Sequence, residues 1–200
     1  MILPQAARLL QKYLDDYEAI PGWDTFRTDR LNVILPLIFQ FIDGDVLEIG
    51  AHQGGSTSIF CEVGDKYNRN VIVIDPWDGR QEGNNQVYSK FKENTASFTN
   101  LVVYKLSSDD PSIREKFTVS KIKLSFILID GLHSYAAVKN DIEKYLDFLS
   151  PHGILCIDDW RGPYKFSAEI RKAALDHLGD NIKELNTPNS FIEQYFVKGV

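Results

Sequence analysis

Residues 47–55 read LEIGAHQGG, and this stretch decides which fold the chain can adopt. An apolar strand carries an acid, Glu48, and the glycines that follow permit a tight turn into a helix that begins near Ser56. Their spacing differs from the GxGxxG of dinucleotide-binding folds, and the turn has no lysine of a phosphate-binding loop. An acid beside such a turn disfavours a pyrophosphate and favours a ligand that carries a positive charge.

The rest of the chain repeats short apolar runs separated by segments of helix length. The runs are apolar on both faces, which is typical of parallel strands covered by helices on both sides. Two late runs are too close for a crossover helix and predict an antiparallel pair. The runs read DVLEIG, NVIVID, NLVVYK, LSFILID and GILCIDD, and the late pair reads NIKEL and FIEQYFV. The prediction is an α/β protein with a mostly parallel, seven-stranded sheet and a C-terminal antiparallel hairpin, and polar residues 78–85 predict a mobile loop.

Length and composition indicate a single domain over residues 1–200. The chain has 22 basic and 28 acidic residues, and its net charge of −6 argues against a nucleic-acid partner. Cys61 and Cys156 lie in apolar runs and predict buried, reduced thiols of a cytoplasmic protein. Residues 1–44 predict helices packed on or capping the domain, the second broken or kinked near Pro36. No apolar stretch approaches the ~20 residues of a bilayer span, so we expect no membrane partner.

Acidic residues end three of the predicted strands. Asp75 ends the second strand, Asp130 the fourth, and Asp158 with Asp159 the fifth. Ligands of open parallel sheets bind beyond the carboxyl ends of the strands, so these acids are expected to meet along one edge. An acid after the second strand can accept both ribose hydroxyls of a nucleoside. Adenosine joined to a cationic amino acid fits both this acid and Glu48.

These motifs resemble the class I S-adenosylmethionine-dependent methyltransferases. LEIGAHQGG is similar to the first motif of that family, and VIVIDPW is similar to the second. The segment FILIDGLHSYAAVKNDIEKYLDFLSPHGILCIDDW is similar to a subgroup related to macrocin-type sugar O-methyltransferases and, more distantly, to catechol O-methyltransferases. The resemblance covers about residues 45–160. It implies a Rossmann-like three-layer sandwich and S-adenosyl-L-methionine as the cofactor.

The resemblance also implies which residues hold the cofactor. Glu48 and the glycine turn would hold the methionine end, and Asp75 would bind the ribose. Trp77 would cover the adenine, with contacts from the serines that follow the third strand. The predicted cofactor-binding residues are Glu48, Gly50, Gly54, Gly55, Ser56, Asp75, Trp77, Ser107 and Ser108.

The resemblance further implies a metal-assisted reaction. Asp130, Asp158 and Asp159 correspond to the family's metal ligands, and His133 lies where the catechol enzymes carry a lysine base. Three converging carboxylates repel one another unless a cation lies between them, and oxygen ligands select a hard divalent ion such as Mg²⁺, with Ca²⁺ or Mn²⁺ as alternatives. A hydroxyl bound to that ion becomes more acidic, so His133 can accept its proton, with Asp130 sharing this role. The predicted reaction methylates a hydroxyl of a small molecule, a sugar or a phenol.

The same residues are also compatible with other functions. Cephalosporin hydroxylase-like proteins share much of the motif set, NAD-dependent oxidoreductases share the sheet, and a non-catalytic nucleoside-binding protein could keep the fold. Nucleic-acid methylation is disfavoured because IDGLH, at the end of the fourth strand, lacks the Asn/Asp-Pro-Pro-aromatic run of flipped-base methylation. The chain has little sequence for a lid over the acceptor, which another subunit of a homo-oligomer could supply.

Overall fold

A computed structural model describes residues 5–16, 27–78, 84–162 and 164–199 of the chain. Its strands are β1 (Asp45–Ile49), β2 (Val71–Ile74), β3 (Leu101–Tyr104), β4 (Leu124–Ile129), β5 (Leu149–Ile157), β6 (Ile182–Glu184) and β7 (Gln194–Lys198). Its helices are α1 (Gln5–Asp15), α2 (Arg27–Phe39), α3 (Gly55–Lys66), α4 (Asn84–Thr95), α5 (Pro111–Val119), α6 (Tyr135–Tyr145) and α7 (Phe166–His177), with a 3₁₀ turn over Leu146–Phe148. Most of the predicted mobile loop falls on residues 79–83, outside the described ranges.

The strands form one sheet in the order β3-β2-β1-β4-β5-β7-β6. The first five strands pair in parallel, and β7 is antiparallel to both β5 and β6. The predicted Rossmann-like sandwich with its antiparallel hairpin is therefore confirmed. The order reverses between β1 and β4, because β2 and β3 extend the sheet in one direction and β4 and β5 in the other. Ligands of doubly wound sheets bind at such a reversal, beyond the carboxyl ends of the strands.

Two apolar clusters, one on each face of the sheet, form the core. Successive strand residues point to opposite faces, so that Val46 joins the cluster under α1 to α4 and Leu47 joins the cluster under α5 to α7. Every residue of β2 and β4 is buried, as the two-sided apolar runs predicted. Cys61 and Cys156 are buried free thiols, and burial raises the pKa of Cys61 to about 12.

Helix α2 continues through Pro36 to Phe39. Of the two expectations, a break or a kink near this proline, the break is wrong and the kink stays a prediction. Proline removes one backbone donor, but Leu35 and Ile38 on either side are fully buried, and their packing stabilises the helix across the gap. Helical hydrogen bonds continue beyond the proline, since the Ile42 amide donates to the Ile38 carbonyl at 2.9 Å. None of the helices in the described ranges is both long and apolar enough to cross a bilayer.

A buried ion pair fastens α2 to the last strand. Two nitrogens of the Arg30 guanidinium donate to the two carboxylate oxygens of Glu193, each at 2.8 Å. Both side chains are at most 5% exposed, and the hydroxyl of Tyr195 donates to the same carboxylate at 3.0 Å. Loss of one partner of such a pair costs about 3–5 kcal/mol because a charge is left buried without its counter-ion. The N-terminal helices are thus held firmly against the sheet.

Candidate active site

A cleft opens at the reversal of strand order, between the turns that follow β1, β2, β3 and β4. It holds about 730 Å³ of empty space, a figure that includes the solvent in its open mouth. Five of the nine residues predicted to bind the cofactor lie in its wall, namely Gly50, Asp75, Trp77, Ser107 and Ser108. The strand ends have therefore brought together residues that are more than 50 positions apart in sequence.

Two glycines of the LEIGAHQGG turn, Gly50 and Gly54, adopt backbone conformations that residues with a Cβ rarely adopt. Gly50 has φ +87°, and a Cβ added there would lie 2.1 Å from the carbonyl oxygen of Asp130. Its lack of a side chain lets the ends of β1 and β4 approach one another closely. Gly54 has φ +83° and precedes α3, which begins at Gly55, one residue before the position expected from the sequence.

Glu48 lies beneath the turn and is fully buried. Its two carboxylate oxygens accept hydrogen bonds from the hydroxyls of Ser56 and Thr57, in the first turn of α3. The acid therefore ties β1 to the helix that follows, and it is not part of the cleft wall. Contact of Glu48 and Ser56 with the methionine end of a cofactor stays a prediction.

Asp75 connects two of the loops that border the cleft. One of its oxygens accepts from the amides of Ala51 and His52, at 2.9 and 3.1 Å, and the other accepts from the amide of Trp77 at 2.8 Å. A carboxylate offers about four acceptor positions, so about one remains for a ribose hydroxyl in this arrangement. The sequence prediction, in which Asp75 accepts hydrogen bonds from both ribose hydroxyls, requires one of these hydrogen bonds from the backbone amides to break.

Trp77 is fixed as one wall of the cleft. Its ring packs against Tyr88 and Phe91, with centroids 4.7 and 4.6 Å away, and its indole nitrogen donates to the carbonyl of His52 at 2.8 Å. Both Trp77 and His52 have positive φ, 43° and 49°. The rigid wall agrees with the predicted position beside an adenine, but the contact itself stays a prediction.

The predicted catalytic residues lie together beside this cleft. The imidazole of His133 has Nδ1 at 3.3 Å from a carboxylate oxygen of Asp159 and Nε2 at 3.8 Å from one of Asp130. The Asp130 carboxylate makes the largest contribution to a raised pKa of His133, and burial of the ring partly opposes it. The negative charges of Asp159 and Asp158 raise this pKa further. The backbone of Asp158 donates to Ile129, which places this residue at the end of β5 beside the end of β4. All four predicted residues therefore meet at one edge.

Aromatic rings extend from this histidine toward solvent. The ring of Phe166 stacks on His133 with centroids 4.8 Å apart, and Tyr164 stacks on Phe166 at 4.9 Å. Tyr164 is 55% exposed. Nε2 of His133 is buried and makes no hydrogen bond within the described ranges. Nε2 has no accessible surface in this arrangement and Nδ1 lies against the Asp159 carboxylate, so a bound hydroxyl compound reaches the ring only after a movement at this edge.

The side chains at this edge carry the kind of donor atoms that a hard cation prefers. Asp130, Asp158 and Asp159 supply only oxygen atoms from neighbouring strand ends, as Mg²⁺ prefers. Among the described residues, however, no three His, Cys, Asp or Glu side chains are assembled as a metal-binding group. The imidazole of His133 lies within 4 Å of two of these carboxylates, Asp130 and Asp159.

Sequence reasoning missed two acids of the cleft wall, Asp78 and Asp141. Asp141 lies in the second turn of α6 and is 1% exposed. Burial raises its pKa to about 6, although hydrogen bonds from Ser108 and Asn140 oppose the shift. The signal was available, because an acid on the buried face of α6, between Val138 and Tyr145, breaks an otherwise apolar pattern.

Asp141→Asn is expected to stabilise the unliganded protein at pH 8 and to have little effect at pH 4. The raised pKa means that the folded state binds more protons than the unfolded state between about pH 4 and 6, so Asp141 lowers stability as the pH rises through this window. Above it the penalty is roughly 1–3 kcal/mol, and the amide removes it. Lys144 and Asp109 also face this group.

Urea denaturation of both proteins at the two pH values measures this difference. A gain of equal size at pH 4 and pH 8, or a loss at pH 8, would contradict the assignment of a charged, buried Asp141. Ser134 caps the N-terminus of α6, since its hydroxyl accepts from the amide of Ala137 at 3.2 Å. It provides a fixed start for α6 in both proteins.

The family of the chain follows from comparison with known proteins. A family profile described as "Methyltransferase domain" matches residues 47–160, which include every predicted site residue. The chain belongs to this methyltransferase family. The predicted class I S-adenosylmethionine-dependent methyltransferase is thus confirmed, with S-adenosylmethionine as the family's cofactor, and the match favours this interpretation over the oxidoreductase alternatives.

Individual relatives of the methyltransferase are distant. It is 29% identical over 148 residues to the uncharacterized protein R132 of Acanthamoeba polyphaga mimivirus, and the match covers 71% of this chain and 62% of the viral protein. CalS11, a TDP-rhamnose 3'-O-methyltransferase of calicheamicin biosynthesis, is 16% identical with a TM-score of 0.68, covering 98% of this chain and 94% of CalS11. An O-methyltransferase from Bacillus cereus, solved with SAH, is 13% identical with a TM-score of 0.61, covering 97% and 89%. These structures share the fold.

Proposed function

We propose that this methyltransferase transfers the methyl group of S-adenosylmethionine to a hydroxyl of a small molecule, a sugar or a phenol. The observation that supports this most strongly is the position of His133, among three aspartates and next to Gly131 and Leu132 of the cofactor cleft. A base at that place can deprotonate a hydroxyl directed at the donor methyl group. Oxygen is the acceptor atom that requires such help, because a neutral hydroxyl is a weak nucleophile.

In the proposed reaction the acceptor oxygen forms a bond to the methyl carbon while the bond from that carbon to sulfur breaks. S-adenosylhomocysteine is released, and the hydroxyl proton passes to the imidazole of His133 once a movement at this edge exposes Nε2, which is buried in the structure described above. The Asp130 and Asp159 carboxylates stabilise the imidazolium that results, because both are within 4 Å of the ring nitrogens. Asp130 is the alternative base. The remaining contribution is orientation, since a methyl transfer in line with the sulfur requires the two molecules to be correctly placed.

We further propose that the reaction is metal-dependent. Asp130, Asp158 and Asp159 would hold Mg²⁺ or another hard divalent cation, because their oxygen atoms lie at adjacent strand ends. When bound, such an ion makes a coordinated hydroxyl more acidic. The positive charge of the ion would balance the negative charges of the three carboxylates. This balance would explain why three acids lie together at one edge of the sheet.

The acceptor would lie against the stacked rings of Phe166 and Tyr164. A flat apolar surface that leads to the base suits the face of a phenol or of a sugar ring. That CalS11 is a TDP-rhamnose 3'-O-methyltransferase agrees with a sugar acceptor, although its likeness to this chain establishes the fold alone. A second subunit that covers this surface would serve as a lid over the acceptor.

Calorimetry and a transfer assay test these proposals. We expect S-adenosylhomocysteine to bind the purified protein and NAD not to bind. Radiolabelled S-adenosylmethionine, with catechol and a nucleoside-diphosphate deoxysugar as acceptors, then measures transfer before and after dialysis against EDTA. Activity that disappears with EDTA and returns with Mg²⁺ supports the metal-dependent reaction. Undiminished transfer after EDTA excludes the metal, and binding without transfer to any hydroxyl compound favours the non-catalytic alternative.

A further inference from the structure

Arg161 lies in the turn that follows β5 and has no part in the reaction proposed above. Its guanidinium donates to the backbone carbonyls of Glu193 and Thr187, at 3.0 and 3.2 Å, and to the side-chain oxygen of Gln194. Its own backbone amide donates to the carbonyl of Ile192 at 2.9 Å. A single, half-buried residue therefore fastens this turn to the segment that leads into β7.

The groups that accept from Arg161 are themselves fixed in the fold. Gln194 is fully buried, and its side-chain nitrogen donates to the hydroxyl of Thr187 at 2.9 Å. Glu193 carries the buried carboxylate that pairs with Arg30 of α2. Since buried hydrogen bonds are costly to break, the segment that holds Arg161 is a rigid support.

Asp159 has a backbone conformation that requires such a support. Its φ is 51°, in the left-handed region that residues with a Cβ adopt rarely. Such a conformation persists when the structure on both sides fixes it. On one side the amide of Asp158 donates to the carbonyl of Ile129, at 3.0 Å, and on the other side Arg161 is bound. In this conformation the Asp159 carboxylate lies 3.3 Å from Nδ1 of His133.

Two further contacts hold the turn through Trp160. Its ring is buried against Phe196, with centroids 5.3 Å apart, and its carbonyl accepts a hydrogen bond from Arg171. Both contacts remain when Arg161 is replaced. A variant at Arg161 is therefore expected to lose the position of Asp159 while the rest of the sheet stays folded.

We propose that Arg161 is a positioning residue, which holds the turn after β5 so that the Asp159 carboxylate faces His133. The inference rests on the proposed function, in which this carboxylate stabilises the imidazolium of His133. Arg161 lies outside the cleft wall, so it acts through Asp159 and not on the bound cofactor. Release of the turn moves the negative charge away from the imidazole and weakens their attraction.

Crystal structures of the natural protein and of Arg161→Ala provide the first test. In the variant we expect the Asp159 carboxylate to move beyond about 6 Å from Nδ1 of His133, a distance at which it affects the ring little. Arg161→Lys keeps the charge but not the planar set of donors, so it should show the same displacement, and it replaces the alanine variant if that protein does not fold. An Asp159 that keeps its place overturns the inference, whatever the activity.

Kinetics with the best acceptor from the transfer assay provide the second test. Arg161→Ala and Asp159→Asn should each lower kcat by about 10- to 100-fold, the effect of a misplaced catalytic group, and change the Kd of S-adenosylhomocysteine by less than about threefold. In the double variant, Arg161→Ala should add less than about threefold to the loss, because the charge through which it acts is already absent. Losses that multiply overturn the inference, because they would assign Arg161 a separate effect.

Arg114→Ala is the matched control. Arg114 is also a partly buried arginine that donates to a backbone carbonyl, that of Lys144, and it pairs with Asp147 at 3.0 Å near the C-terminal end of α6. This variant should leave kcat and the position of Asp159 unchanged, and an equal loss of kcat would overturn the inference. A natural protein without methyl transfer overturns the proposed function alone, since the crystal structures still decide whether Arg161 fixes Asp159.

Discussion

Gly50→Ala is expected to lower the free energy of unfolding by about 3–5 kcal/mol. The added Cβ would lie 2.1 Å from the carbonyl oxygen of Asp130 and 2.8 Å from Cα of Gly131. Both neighbours are backbone atoms, so no side chain can move aside, and φ +87° adds its own strain for any residue with a Cβ. Relief requires β1 and β4 to separate at the edge where the cleft lies. Urea denaturation measures the change.

Gly55→Ala provides the control in the same turn. An added Cβ at Gly55 meets no atom within 4 Å, and the residue is the first of α3, where alanine is the better helix former. This variant is expected to be between 0 and about 1 kcal/mol more stable than the natural protein. Equal destabilisation by the two substitutions would show that the turn tolerates neither and that the contact with Asp130 is not the cause.

His133→Ala is expected to reduce kcat by about 10²- to 10⁴-fold, the usual contribution of a general base. This corresponds to about 3–5 kcal/mol in the activation barrier. The affinity for S-adenosylhomocysteine should change by less than about threefold, because the imidazole lies outside the cleft wall and removing it leaves the cofactor contacts in place. Steady-state kinetics with the best acceptor from the transfer assay, together with calorimetry, separates these two effects.

His177→Ala is the matched control for the histidine. His177 also pairs with a carboxylate, since its Nδ1 lies 3.1 Å from Glu143, but this pair joins α6 and α7 on the surface, away from the cleft. Its removal should leave kcat unchanged. A His133→Ala variant that loses less than tenfold in kcat would assign the base role to Asp130, and Asp130→Asn should then show the large loss.

Much of the fold could be predicted because the sequence pattern expresses it directly. Strands such as VIVI and LSFILI are buried on both faces, so their apolar runs are continuous and easily recognised. This second helix was predicted, but its continuity through Pro36 was not, because a local rule about proline does not include the packing of Leu35 and Ile38. Packing of the neighbouring side chains stabilises a helical conformation that proline by itself disfavours.

The positions of the site residues could be predicted in outline, whereas their hydrogen-bond partners could not. Strand ends in a parallel sheet share one edge, so Asp130, Asp158 and Asp159 could be placed together without coordinates. Side-chain partners cannot be read in this way. That Glu48 pairs with hydroxyls of α3, and that Asp75 accepts three backbone amides, depends on rotamers and loop conformations that spacing does not specify.

The position of β7 inside the sheet has a consequence for synthesis of the protein. While the ribosome is still extending the nascent chain before Gln194, β5 presents an open edge of backbone donors and acceptors, which other unfinished polypeptides can join. Arg30 meets Glu193 only after 163 further residues have been translated. Completion of the sheet is therefore a late event that depends on long-range contacts, and such topologies fold slowly and aggregate easily when expressed rapidly. Slower translation at low temperature, or a chaperone that shields β5, should raise the soluble yield.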